Sequence, residues 1–175
     1  AMQTIAPVTD GDDVHAFVAV QDDITERKEL EETLARRTKA IDEAPVGISI
    51  ADPDQADNPL MYVNDAFVET TGYQREEILG ENCRFLQGEN TDPARVAEIR
   101  AAIDAREPLA TELRNYRADG SEFWNHLEIA PVKDGDGDVV NWIGFQQDVT
   151  ERKQRQEQLA VLDRVLRHNL RNDMN

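Results

Sequence analysis

Two short turn sequences divide the second half of this chain into three extended segments. Ala-Asp-Gly-Ser at 118–121 and Asp-Gly-Asp-Gly at 134–137 place glycine beside aspartate, the residues that tight turns favour. The stretches around them, 109–117, 122–132 and 138–149, are predicted to be β-strands. Because strands joined by such short connections pair in antiparallel fashion, this half of the chain predicts an antiparallel sheet.

The segment before these strands predicts two further strands and several short helices. Alternating residues at 48–50 and an apolar run at 60–63 are typical of strands. The stretches 65–71 and 75–79 are each followed by glycine and predict short helices, and a longer one with proline in its first turn is predicted over 92–106. This order predicts an α+β fold, a five-stranded antiparallel sheet with short helices on one face.

An internal repeat flanks this module. Gln21–Lys28 and Gln147–Lys153 share a Gln-Asp pair followed by Thr-Glu-Arg-Lys, and their threonines lie 125 residues apart. A repeated strand end followed by a repeated helix start indicates tandem modules. Residues 1–24 are therefore predicted to be the tail of an upstream module of the same kind. The alternative is an N-terminal extension that packs on the module described above.

Helices are predicted on both sides of the module, a linker helix at 25–43 and an exit helix at 150–175. Leucines recur along the exit helix at intervals of three, four and four residues, at Leu159, Leu162, Leu166 and Leu170. This heptad-like spacing predicts a homodimer that forms through the linker helices. The alternative is that the exit helix folds back on its own sheet.

The composition is strongly acidic, since 36 acidic and 19 basic residues give a formal charge of −17. This excess argues against nucleic acid and anionic membranes as direct partners. Only four of the basic residues are lysines. Acidic, lysine-poor composition indicates the cytoplasm of a halophile, where salt screens the self-repulsion. An ordinary acidic protein is the alternative.

The sequence also predicts a cytoplasmic location. No run approaches the ~18 apolar residues of a membrane span, and no signal peptide opens the chain. The single cysteine cannot form an internal disulfide, which fits a reducing compartment.

That cysteine, Cys83, lies in the nonapeptide Gly80–Gly88, where Arg84 follows it and the carboxamides Asn82 and Gln87 flank it. A guanidinium binds phosphate, and carboxamides both donate and accept hydrogen bonds. The combination predicts a site that holds a phosphate-bearing, hydrogen-bonding ring system against a sulfur. The alternative is an inert thiol in the core.

The nonapeptide resembles the flavin-binding signature of light–oxygen–voltage (LOV) domains, the blue-light-sensing branch of the PAS fold. The resemblance covers residues 44–149 and includes five further motifs at family-like spacing: Asp57–Pro59, Arg75–Gly80, Thr91–Pro93, Phe123–Asn125 and Gly144–Gln146. It implies the PAS/LOV fold and a photoreceptor module from a haloarchaeal sensor histidine kinase or a bacterio-opsin-activator-like regulator.

The resemblance also implies a cofactor, FMN, and a reversible bond between the Cys83 sulfur and carbon C4a of the flavin. FMN is expected rather than FAD because the segment 88–92 carries no insertion. The polar residues that would bind FMN are Asn82, Arg84 and Arg100 (the two arginines at the phosphate), Gln87, Asn115 and Asn125 (at the polar ring edge and ribityl chain), and Gln146 (at the ring nitrogen that gains a proton). The apolar faces of the ring would pack against Ile48, Leu86, Ile103, Leu127 and Ile129.

The resemblance also implies that the exit helix carries the signal to an output domain. Gln146 lies two residues before Asp148, which leads into that helix, so a change in its hydrogen bonding would reach the helix. His168, flanked by arginine and asparagine, resembles the phosphoacceptor of sensor histidine kinases. A downstream kinase or response regulator is therefore the expected partner, although these residues contain no nucleotide-binding segment and so no ATP chemistry of their own.

Two other functions compete with photoreception. One is a flavin redox enzyme that uses Cys83 as its thiol. The other is a PAS module without photochemistry that serves only for dimerisation or ligand binding. An absorption spectrum before and after blue light distinguishes the three.

Overall fold

The computed structural model describes the backbone of residues 2–10 and 13–172 and the side chains of residues 23–165 and 167. The chain divides into two compact units, residues 1–41 and 42–175. In the first unit, strands β1 (Met2–Asp10) and β2 (Asp13–Asp22) form an antiparallel hairpin, and helix α1 (Thr25–Asp42) follows. The assignment of residues 1–24 to an upstream module stays a prediction.

The repeat in the sequence corresponds to a repeated cap in the structure. The Asp23 carboxylate accepts hydrogen bonds from the Thr25 backbone N–H and hydroxyl at the start of α1. The Asp148 carboxylate accepts from the Thr150 N–H in the same way at the start of the last helix. An aspartate two residues before the threonine therefore satisfies an N–H group that the first helical turn leaves free.

Within the described residues, the second unit contains five strands, four α-helices and a one-turn 3-10 helix, and its strands and α-helices follow the predicted order. These are β3 (Gly47–Ala51), β4 (Leu60–Val63), α2 (Asp65–Thr71), α3 (Arg75–Ile78), a one-turn 3-10 helix (Cys83–Leu86), α4 (Pro93–Ala105), β5 (Leu109–Tyr116), β6 (Glu122–Lys133), β7 (Val139–Asp148) and α5 (Thr150–Asn172).

The strands form one antiparallel sheet in the order β4-β3-β7-β6-β5. The predicted α+β fold with a five-stranded antiparallel sheet is confirmed. In this sheet β3, near the start of the unit, pairs with the central strand β7, near the end of the unit. Residues almost a hundred positions apart are thereby brought side by side, and Ser49 pairs with Gly144.

Side-chain caps explain where the helices begin. Asn64 accepts from the Phe67 N–H at the start of α2, and Asp92 accepts from the Ala94 N–H at the start of α4. Helix α2 ends at Gly72 with φ of 75°, a left-handed conformation that glycine adopts without a steric penalty. The 3-10 turn was not predicted; its local signal is Asn82, whose side chain accepts from the Arg84 N–H.

The apolar core lies between the helices and the β3–β4 edge of the sheet. Its buried members are Leu60, Val63, Phe67, Ile78 and Leu86. Cys83 packs against this cluster, as do the rings of Phe85 and Tyr73, which meet edge to face with centroids 4.9 Å apart. The core thus anchors the 3-10 turn that carries the cysteine.

Candidate functional site

A cavity of about 140 Å³ lies between the inner face of the sheet and the helices. Residues of β3, β5, β6 and β7 line it, mostly at alternate positions because successive side chains of a strand point to opposite faces, and Leu60 of β4 also contributes. The 3-10 turn and α4 form the other wall. Its lining is Ser49, Ala51, Asn58, Leu60, Asn82, Cys83, Arg84, Leu86, Gln87, Ile99, Ile103, Leu113, Asn115, Asn125, Leu127, Ile129, Trp142, Ile143, Gly144 and Gln146.

The predicted site residues converge on this cavity with two exceptions. Arg100 is exposed on α4 and does not line it; Ile99 and Ile103, one turn apart, face the cavity instead. Ile48 does not line it either, because Ser49 and Ala51 occupy the inward positions of β3. Ile48 is buried, and its backbone N–H donates to the Asn64 side chain at 2.7 Å.

Two asparagine side chains on the cavity wall are joined by a hydrogen bond. The Asn125 Nδ2 donates to Asn115 Oδ1 at 2.9 Å, and the Asn115 Nδ2 donates to the Leu86 carbonyl at 3.1 Å. Asn125 is 1% exposed, yet its Oδ1 has no hydrogen-bond partner. A buried oxygen without a partner is costly, so this position is prepared for a hydrogen-bond donor that the protein chain does not supply.

Gln146 provides a second buried oxygen without a partner. Its Nε2 donates to the Ser49 hydroxyl at 3.1 Å, whereas its Oε1 makes no hydrogen bond although the residue is only 3% exposed. Leu127 lies opposite Gln146 in the β6–β7 register. The cavity therefore combines apolar walls with two oxygens, on Asn125 and Gln146, that a polar ligand would satisfy.

Cys83 begins the 3-10 turn, is half-buried and lines the cavity. Burial raises the pKa of its thiol to about 12, while a hydrogen bond from the Ser49 hydroxyl acts in the opposite direction. At neutral pH the group is therefore a protonated thiol. It carries a proton to give and is a poor nucleophile in the absence of another driving force.

Arg84 and Gln87 line the cavity yet are exposed, so they mark its mouth. The Arg84 guanidinium pairs with the Asp57 carboxylate, and the Asn82 Nδ2 donates to the Asp57 carbonyl. Asp57 and Asn58 have φ of 74° and 47°, a left-handed conformation that side chains other than glycine rarely adopt. The loop before β4 is thus held against the nonapeptide at the mouth.

Two residues that were not predicted are central to the site. Ser49 contacts Gln146 directly, and Gly144 lies beside both of them. A Cβ at Gly144 would lie 2.7 Å from Ser49 Oγ and 3.0 Å from Gln146 Nε2, so this position has no room for a side chain. Gly144 belongs to the Gly144–Gln146 motif that resembles LOV domains. The need for a glycine at this position, however, arises from Ser49 on the neighbouring strand β3.

Two further observations on the described residues concern metal ions and membranes. Among residues 2–10 and 13–172, the structure contains no group of three or more histidine, cysteine or acidic side chains arranged to hold a metal ion. In that same part of the chain, no helix has the length and apolar character needed to cross a bilayer.

Comparison with known proteins agrees with this geometry. Residues 45–151 match the model of the PAS domain family. The chain is 46% identical over 134 residues to the bacterioopsin transcriptional activator of Halobacterium salinarum, covering 74% of this chain and 20% of that protein. It is 46% identical over 121 residues to a blue-light photoreceptor of Listeria monocytogenes, covering 69% of this chain and 47% of that protein.

Solved structures show the same relationship. The LOV domain from Erythrobacter litoralis EL346 blue-light activated histidine kinase is 46% identical with a TM-score of 0.60, and the match covers 62% of this chain and 99% of that one. An RNA-binding light–oxygen–voltage receptor is 39% identical with a TM-score of 0.70, and the match covers 96% of this chain and 44% of that one.

The chain therefore belongs to the PAS domain family, in its LOV branch. It spans a fifth to about half of the length of the two curated relatives.

Proposed function

We propose that this protein is a blue-light photoreceptor module that binds FMN and signals through its C-terminal helix. One observation carries the proposal. The buried oxygens of Asn125 and Gln146 lack partners in the same cavity that Cys83 lines. The ring N–H of a bound flavin would donate to the Asn125 oxygen, and the ring nitrogen that gains a proton in the light would donate to the Gln146 oxygen. The apolar ring would pack between the walls.

The residues present fit a flavin. Leu86, Leu127 and Ile129 would pack against the ring faces, and Ile99 and Ile103 would close the side toward α4. Asn115, Asn125 and Gln87 would pair with the polar edge and the ribityl chain. Arg84, at the mouth, would bind the phosphate after exchanging its pairing with Asp57. Arg100 would join it only if its side chain turns toward the mouth.

The chemistry assigns distinct roles to Cys83 and Gln146. With a flavin bound and excited by blue light, Cys83 would give its sulfur to ring carbon C4a and its thiol proton to the neighbouring ring nitrogen, so that no outside oxidant or reductant would be consumed. Cys83 provides both the sulfur and the proton, which suits a thiol held protonated by burial. Gln146 must then accept a hydrogen bond where it previously donated one, so its amide turns over.

The path from Gln146 to the output is short. Asp148, two residues later on β7, caps α5 through the Thr150 N–H at 2.8 Å and pairs with Arg117. A change at Gln146 would therefore bias the start of α5, provided that the helix has two accessible positions.

The exposed apolar face of α5 supports a dimer as the output element. Leu159, Leu162 and Val165 are at least half exposed, which is uncommon for large apolar side chains unless a partner covers them. His168 belongs to the same helix, but its side chain is outside the described residues. It remains the proposed phosphoacceptor, with a histidine kinase and response regulator as the output, because blue-light-activated histidine kinases are among the relatives. Because one relative is an RNA-binding receptor, the predicted lack of a nucleic-acid partner should be tested by a direct binding measurement.

The test is an absorption spectrum of FMN-loaded protein before and after blue light. The wild type should bleach reversibly, Cys83→Ala should keep its flavin and lose the bleaching, and Gln146→Leu should keep the bleaching and lose the change at α5. Exchange of α5 backbone amides with deuterium, in the dark and in the light, reports that change.

Controls separate the competing functions. Cys83→Ser matches the thiol in size and should behave like Cys83→Ala. A protein that takes up no flavin favours the PAS module without photochemistry, and flavin reduction by a nicotinamide donor without bleaching favours the redox enzyme. Reversible bleaching in Cys83→Ala would refute the proposal.

A further inference from the structure

The Ser49 hydroxyl lies beside the Gln146 amide, which the proposed photochemistry requires to turn over. Ser49 is 5% exposed on β3 and lines the same cavity as Cys83 and Gln146. Its Oγ accepts from Gln146 Nε2 at 3.1 Å, and the Gly144 carbonyl lies 3.5 Å away as an acceptor for its proton.

The space for this hydroxyl exists only because position 144 is a glycine. A Cβ there would lie 2.7 Å from Ser49 Oγ, closer than such atoms approach in real structures. The serine hydroxyl, the glycine and the glutamine amide therefore form one packed group across β3 and β7.

We propose that Ser49 is a positioning residue that satisfies the Gln146 amide in both of its orientations. This inference rests on the proposed function. In the orientation of the structure, Gln146 Nε2 donates to Ser49, so Oε1 is free to accept from a protonated ring nitrogen. After the amide turns over, Oε1 accepts from the Ser49 O–H and Nε2 is free to donate to an unprotonated nitrogen. A hydroxyl can serve both orientations because it both donates and accepts; alanine or valine can serve neither.

The same hydroxyl also lies on the wall of the cavity that the thiol lines. A hydrogen bond from Ser49 lowers the pKa of Cys83 against the larger effect of burial, which raises it. Ser49 has one proton, for which the Gly144 carbonyl and the turned Gln146 amide compete, and we infer that the Cys83 sulfur is a third acceptor. Its choice of acceptor couples the thiol to the amide.

The first test measures dark recovery of FMN-loaded protein after blue light. Without the hydroxyl, the light-state orientation leaves a buried amide N–H unpaired and the dark-state orientation leaves a carbonyl unpaired. Because buried N–H groups tolerate this less well than carbonyls, Ser49→Ala should destabilise the light state more and speed recovery about tenfold. Ser49→Thr keeps the hydroxyl and should stay within about threefold of the wild type.

A double-mutant comparison shows whether the effect passes through Gln146. In a Gln146→Leu background, Ser49→Ala should change recovery by less than about twofold. An equal acceleration in both backgrounds, or no acceleration in the wild-type background, would overturn the inference.

The second test needs no flavin. The rate at which iodoacetamide alkylates Cys83 in flavin-free protein should rise with pH, and Ser49→Ala should move this profile to higher pH while Ser49→Thr leaves it in place. An unchanged profile in Ser49→Ala contradicts the contact with the thiol. If wild-type protein does not bleach at all, the proposed function fails, and the alkylation profile still decides whether Ser49 contacts Cys83.

Discussion

Asn64 illustrates how one buried side chain can join several elements. It is fully buried; its Oδ1 accepts from the Ile48 N–H at 2.7 Å and the Phe67 N–H at 3.0 Å, and its Nδ2 donates to the Val46 carbonyl at 2.9 Å. The same amide therefore caps α2 and ties the start of β3 to it. Since Ser49 follows Ile48 directly, this junction also supports the cavity.

Replacing this amide should destabilise the whole unit. Asn64→Ala removes a helix cap and leaves two backbone groups near the core without partners, so the free energy of unfolding should fall by about 2–4 kcal/mol. Asn141→Ala, which removes a half-buried amide near the start of β7 that donates to the Met61 sulfur at 3.3 Å, is the matched control and should change it by less than about 0.5 kcal/mol. Urea unfolding followed by circular dichroism measures both. An equal decrease in the free energy of unfolding of both variants would show that the hydrogen bonds of Asn64 do not account for the effect.

The start of α5 is held to the outer face of the sheet by charges. Glu112 on β5 accepts from Lys153 and Arg152 in the first turn of the helix, each at 2.5 Å. Lys153 also lies 4.9 Å from the centre of the Trp124 ring on β6, within range of a cation–π contact. These contacts, together with the Asp148 cap, fix the direction in which the exit helix leaves the sheet.

The stability that these Glu112 contacts contribute should depend on pH. Hydrogen bonds from Lys153 and Arg152 lower the pKa of Glu112 to about 2, whereas a glutamate in the unfolded chain titrates near its ordinary pKa of 4.5. The unfolded chain therefore binds the proton first, and the stabilisation is complete above about pH 4.5 and is lost as the pH falls toward 2. After allowance for solvent screening it amounts to about 1 kcal/mol.

Glu112→Gln should thus lower the free energy of unfolding by about 1 kcal/mol at pH 7, with the difference from the wild type shrinking between pH 4.5 and 2. Denaturant unfolding at pH 7 and at pH 3 measures it. Glu157→Gln, which changes an exposed acid on α5, is the control. Its free energy of unfolding should not differ from that of the wild type at either pH. A gap between Glu112→Gln and the wild type that stayed constant with pH would argue against the charge contact.

At the scale of the whole molecule, the charge of −17 is the dominant property. Several acids have local partners, among them Glu112, Asp148 and Asp57. The excess of acids over bases nevertheless leaves a net repulsion that favours expansion. Ions shorten the range of this repulsion, from about 10 Å at 0.1 M to about 3 Å at 1 M salt.

Stability should therefore rise with salt. Between 0.1 M and 2 M KCl, we expect the free energy of unfolding at pH 7 to increase by about 1–3 kcal/mol. Repeating the measurement near the isoelectric point of about 4.4 is the control, because the net charge is then near zero and the increase should largely disappear. If stability at pH 7 does not respond to salt, adaptation to a halophile's cytoplasm is ruled out as the reason for the composition.

The strands and helices of the second unit were predictable because their signals are local. The glycine and aspartate residues at 118–121 and 134–137 lie between strands as predicted, and the predicted helix at 65–71 matches α2 residue for residue. The 3-10 turn escaped prediction because a single cap at Asn82 is a weak signal without apolar periodicity around it. Arg100 and Ile48 were expected at the cavity because they match a family pattern; the direction of a side chain depends on the phase of its helix or strand against the sheet.

Local signals along the chain were thus enough to predict the order of elements, whereas the family and most of the cavity wall around Cys83 were expected from the resemblance of the motifs to LOV domains. The partners of the buried polar groups depended on the fold. Ser49 and Gln146 are 97 residues apart, and Asn64 reaches back 16 residues to Ile48. A hydrogen bond requires two atoms within about 3 Å, and no local pattern specifies which distant residue will lie there. The order of the strands, with β3 beside β7, brings Ser49 and Gln146 together on the wall of the cavity.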